Sequence, residues 1–98
     1  MKALAPGTHV AIFHGLHRVM AAEEALRVAR ARHRLMPTPR PLTSSCGLAI
    51  AFPADELGHV RAVLDGGPDL AELWCSDGAR YQRAELPTHR PSAGPEAP

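Results

Sequence analysis

Of the two cysteines in this 98-residue chain, Cys46 is the one placed for chemistry. It closes the run Met36-Pro37-Thr38-Pro39-Arg40-Pro41-Leu42-Thr43-Ser44-Ser45-Cys46-Gly47-Leu48-Ala49-Ile50, in which a polar, proline-stiffened loop enters an apolar strand. A sulfur at that junction sits at the mouth of a fold rather than in its core, beside two hydroxyls, a glycine and a nearby arginine. Reactive cysteines occupy partly exposed, electropositive surroundings of this kind, because the thiolate is the nucleophile and neighbouring cations stabilise it. The competing reading is a cysteine packed as a small hydrophobe, a common use of a free thiol.

Pro37-Thr38-Pro39-Arg40 followed by Ser44-Ser45-Cys46-Gly47-Leu48-Ala49 resembles the signature of the putative selenium/sulfur carrier protein-like family. The likeness spans about residues 9 to 76. It includes a strand ending in Phe13 that leads to a helix carrying Ala22-Glu23, and Glu23 matches a recurrent family glutamate. The resemblance implies a cytosolic carrier of sulfur or selenium, held as a persulfide or perselenide on Cys46. Pro39, Arg40, Ser44, Ser45 and Gly47 match positions flanking the motif cysteine and form its supporting loop. A carrier also implies donor and acceptor proteins.

The thiolate's candidate neighbours are His14, His17, Arg40 and the amides that open the first helix, while backbone amides around Ser44, Ser45 and Gly47 could form an anion-binding concavity. His14, His17 and Cys46 together would make a zinc-type ligand set. Yet no Cys-x-x-Cys pair is present, and surface histidines are the favoured reading. No metal and no cofactor is therefore assigned. His9, His33, His59 and His89 are scattered without ligand spacing. A turnover enzyme is the least favoured class, because no acid/base pair stands out by spacing. A non-catalytic binding or regulatory module is the main alternative to a carrier.

Eleven basic and ten acidic residues give a net charge of +1, which leaves no polyanion footprint and argues against nucleic acid as a partner. The basic run Arg27, Arg30, Arg32, His33 and Arg34 reads as a solvated helix face, with Glu23 four residues before Arg27. Nothing has the apolar length of a signal peptide or a membrane span, so a cytoplasmic protein is expected. In a reducing compartment two cysteines are independent thiols rather than a disulfide.

These residues must be carried by few elements. Val10 to Phe13 predicts a strand. Leu16 to about His33 predicts a helix with Val19, Ala22, Leu26 and Ala29 on one face. Arg34-Leu35-Met36 predicts a short strand and Gly47 to Phe52 a clear one, ended by Pro53. A second helix follows, with Asp55 and Glu56 in its first turn and Leu57, Val60 and Leu64 inward. Gly66-Gly67-Pro68 predicts its stop, and Leu70 to Trp74 a last strand. The expected fold is α+β, a ferredoxin-like βαββαβ sandwich with an antiparallel sheet and two helices on one face. Residues 1–8 are expected to be a flexible N-terminus, 9–76 the carrier-like domain, and 77–98 an extension with a Pro-rich disordered tail. In this layout Cys46-Gly47 lies beside Phe13-His14, and Cys75 belongs at the opposite edge, too far from Cys46 for a disulfide. Trp74 and Tyr81 are expected to pack against the sheet edge. Exposed edge strands leave pairing into a homodimer open.

Overall fold

The computed structural model describes residues 4–42, 47–64 and 70–84. Strand β1 (His9–Phe13) is buried along its whole length, because it lies in the middle of a five-stranded antiparallel sheet. The sheet also contains β2 (Arg34–Pro37), β3 (Leu48–Phe52), β4 (Leu70–Ser76) and β5 (Tyr81–Arg83), in the order β2-β3-β1-β4-β5. Helix α1 (Leu16–Val28) joins β1 to β2, and a 3-10 turn (Ala54–Glu56) leads into α2 (Leu57–Leu64) after β3. The α+β class, the antiparallel sheet and the two helices are thus as expected. The four-strand outline is not, since β5 adds a fifth strand and makes β4 an interior one.

Period-2 alternation sends the two faces of the sheet to separate cores. Ala11, Phe13, Ile50, Phe52 and Leu73 meet Val19, Ala22 and Leu26 of α1 and Val60 and Leu64 of α2, so both helices cover this face. Val10, Ile12 and Ala49 point the other way, where Leu42, Leu4, Trp74 and Tyr81 cover them. Trp74 and Tyr81 therefore pack a face rather than an edge. Arg83 lies over the Trp74 ring, 5.5 Å from its centroid.

Helix α1 is shorter than its periodicity predicts, because Arg30 adopts a φ of 62° and Ala31 donates to the Leu26 carbonyl, ending the helix there. This removes Arg32, His33 and Arg34 from the expected helix face. Arg32 instead reaches Asp55 (2.7 Å) and Glu56 (3.0 Å), tying the end of α1 to the start of α2, and its guanidinium holds the Glu56 carboxyl below the usual range. His33, nearly buried, has Nδ1 2.7 Å from the Ala31 carbonyl and Nε2 3.2 Å from Glu23. Glu23 also pairs with Arg27 at 3.5 Å, as the spacing predicts.

The segment before β1 is bonded to the β4–β5 hairpin. Ser76, fully buried, donates its hydroxyl to the Leu4 carbonyl (2.5 Å) and accepts from the Gly78 amide (3.1 Å), while Leu4 donates to the Tyr81 hydroxyl (3.1 Å). Asp77 accepts from the amides of Ala79 and Arg80 and closes the hairpin.

Candidate functional site

Three elements meet at the end of the sheet where β3 begins. The first is the corner between β1 and α1. The register of β1 against β3 pairs His9 with Phe52 and Ala11 with Ile50, so the end of β1 runs toward the beginning of β3. His14 and Gly15 follow directly, and the corner turns on Gly15, whose φ of 92° and ψ of 156° lie outside the range of L side chains. Helix α1 begins there with no side-chain cap and no acid in its first turn, which leaves the positive end of its dipole uncompensated by sequence. His14 and His17 are exposed at this corner.

The second element is the arm joining β2 to β3. Its base is closed where the Thr38 amide donates to the Gly47 carbonyl at 2.9 Å, continuing the β2–β3 ladder by one step. Gly47 holds a φ of 77°, which turns the chain into β3. Within the arm, Leu42 donates to the Pro39 carbonyl (2.9 Å), making a tight turn whose tip is Arg40-Pro41. Arg40 is exposed and, among the described residues, forms no ion pair.

The third element is the anchor. Leu42 is only 7 % exposed and packs with Val10, Ile12 and Ala49 on the sheet face opposite the helices. The arm thus crosses the sheet end and plugs its other core. No signal in the sequence pointed to Leu42, since an isolated Leu in a polar loop has no periodicity to mark it.

Of the site residues expected from sequence, His14, Arg40 and Gly47 lie among the described residues, and the topology brings the His14 corner and Gly47 to one end of the sheet. Ser44, Ser45 and Cys46 lie outside the described residues, between Leu42 and Gly47 in the chain, as does the Gly66-Gly67-Pro68 stop.

A family model described as "Putative Se/S carrier protein-like" matches residues 8–69. The chain belongs to that family. The match runs from the residue before β1 to just past α2, and so takes in the β1–α1 corner, the arm and its anchor, leaving β4 and β5 outside it. No curated protein and no solved structure matches the chain.

Cys75 is in β4 opposite His9, which itself pairs with Phe52. It is therefore level with the far end of β3 from Gly47, on the face where His9 stacks on the Phe52 ring at 5.5 Å. A pocket of about 270 Å³, lined by Thr8, His33, Arg34, Ala51, Phe52 and Pro53, also opens at that far end and has no part in the arm. No group of three or more His, Cys, Asp or Glu residues able to hold a metal occurs among the described residues. No helix among them is long and apolar enough to cross a membrane.

Proposed function

We propose that this protein carries sulfur or selenium as a persulfide or perselenide on Cys46, passing it from a donor enzyme to an acceptor in the cytoplasm. What supports the reading is the family match across the arm, in which the motif segment is bracketed by a buried Leu42 and a Gly47 tied to Thr38. A carrier's cysteine must be held to one place and still be accessible, and anchors on both sides of the short segment serve the first of these needs. A carrier needs that combination, because its sulfur must be reached by two different proteins in turn.

In the loading step the Cys46 thiolate attacks the terminal sulfur of a donor persulfide. A bond forms between Cys46 Sγ and that sulfur, the donor's own S–S bond breaks, and the donor cysteine leaves as a thiolate with the electron pair. The step is an exchange, with no net oxidation. Release is the same exchange toward an acceptor nucleophile. Arg40, His14 and the start of α1 supply positive charge or dipole for the thiolate, and Ser44, Ser45 and Gly47 supply donors to the loaded anion. In this reading the first four strands and both helices form a ferredoxin-like core, extended by β5.

The test is intact-mass spectrometry of the wild type and Cys46→Ser after incubation with a cysteine desulfurase and cysteine, and with selenocysteine and its lyase. The expected result is a gain of one sulfur or selenium atom on the wild type alone, reversed by reductant. With active donors, the absence of an adduct on Cys46 refutes the carrier reading and favours a non-catalytic binding module.

A further inference from the structure

Leu16 and Met20 are large apolar side chains left in solvent at the start of α1, 55 % and 42 % exposed. Four residues apart, they share one flank of the helix. That flank can be located. Glu23, three residues beyond Met20, lies on it and meets His33, which immediately precedes β2. The flank therefore faces the β2 edge of the sheet. Because α1 starts at the Gly47 end and finishes near the beginning of β2, Leu16 and Met20 stand toward the end of β2 that leads into the arm. Pro37, the last residue of β2, is exposed and alternates with Leu35, which packs under the helices, so Pro37 belongs to the same sheet face.

We propose that this corner of Leu16, Met20 and Pro37 is the surface on which the sulfur-donating enzyme docks, matched on the donor by an apolar spot rimmed with carboxylates. The inference rests on the carrier reading and names its donor-side contact. Electrostatics select the rim. The first turn of α1 contains no acid, its dipole is positive here, His14 and His17 are exposed at the corner, and Arg40 is exposed on the arm. Of the nearest acids on α1, Glu23 is engaged by Arg27 and His33, and Glu24 is a turn beyond Met20. The hydrogen-bonding edge of β2 does not compete as a docking mode. The Thr38–Gly47 bond sets the ladder so that Leu35 and Pro37 point their backbone groups outward, and Pro37 has no N–H. With a single outward N–H on that edge, contact falls mainly to side chains, and exposed Leu and Met are suited to it.

The experiment compares two ways of loading Cys46 in the full chain, in wild type and in Leu16→Gln/Met20→Gln. Inorganic polysulfide gives up one sulfur and leaves one atom shorter, with no protein surface involved. A cysteine desulfurase with cysteine must dock. Both variant positions are solvent-facing, and Gln is a good helix former that adds no charge at the start of α1, so the fold is retained, as circular dichroism should show. The expected result is equal loading from polysulfide and loading from the desulfurase slowed about tenfold or more in the variant. Equal desulfurase rates in wild type and Gln variant overturn the docking surface while leaving the carrier reading intact, whereas a wild type that loads from polysulfide but from no active enzyme donor removes both. Failure of Cys46 to load from either source removes the carrier reading and the docking surface with it.

Discussion

Replacing Leu42 by Ala tests whether the motif arm is held by its apolar anchor. The side chain is almost fully buried against Val10, Ile12 and Ala49, on a face that no helix covers. Truncation removes roughly three carbons, which at about 0.8 kcal/mol per methylene is ~2.4 kcal/mol of lost transfer energy. A cavity term adds to this where neighbours cannot close in, and Leu→Ala losses in cores run from about 2 to 5 kcal/mol. The site lies at the margin of the second core, where an arm can settle inward, so the loss should fall at the low end, about 2–3 kcal/mol. For a domain this small that is a large part of the whole. With a urea m-value of about 1 kcal/mol/M the unfolding midpoint should drop by ~2–3 M. Arg40→Ala, in the same turn but exposed, is the control and should change stability by less than about 0.5 kcal/mol. A Leu42→Ala loss as small as the control's would mean that the arm is not anchored through this residue and that the positioning argument for Cys46 is wrong.

Three other measurements bear on the fold around the site. Ser76→Ala should cost about 1–3 kcal/mol and speed hydrogen exchange at the Gly78 amide, because the buried hydroxyl joins Leu4 to the β4–β5 hairpin and its loss leaves that amide without its acceptor. Gly47→Ala should cost about 1–2 kcal/mol through its positive φ alone, since an added Cβ meets nothing within 4 Å; urea titration should show the loss, and Gly47→Asn should recover part of it. The Asp77 carboxyl is held below the ordinary aspartate range by the Arg80 and Ala79 amides, so its contribution is complete above the unfolded value near 3.9 and is lost as pH falls through the lower folded one. Asp77→Asn keeps an acceptor oxygen and should flatten the decline in stability below about pH 4, measured as thermal midpoint against pH.

Most of the scaffold was legible because its residues obey one period at a time. Val10 to Phe13 and Leu48 to Phe52 are short apolar runs between glycines or a proline, and both became buried strands. Val19, Ala22 and Leu26 kept helical spacing and face the core. The end of α1 was hidden, since Arg30 and Arg32 are good helix formers and only the left-handed backbone at Arg30 breaks the run. The fifth strand was hidden for a different reason. Tyr81-Gln82-Arg83 is too short and polar to signal a strand by periodicity, although Asp77-Gly78 carried a hairpin turn signal ahead of it. At the candidate site the cysteine and its flanking residues were marked by type, whereas Leu42 was not, because its partners are brought to it only by tertiary folding.

The two sheet edges explain how such an arm can stay available. At β2 the outward backbone groups belong to Leu35 and Pro37, so the edge beside the arm offers one N–H, from Leu35, with the two carbonyls, and is a poor template for another strand. At β5 the bonds from Asp77 to Arg80 and from Ala84 to Leu73 turn the groups of Arg80, Gln82 and Ala84 inward, leaving Tyr81 and Arg83 facing out. The fuller set of outward donors and acceptors is therefore on β5, across three strands from β2. Self-association and access to the motif are then separated by the width of the sheet, so a copy paired through β5 keeps the Leu16–Met20 corner and the arm open to a different protein.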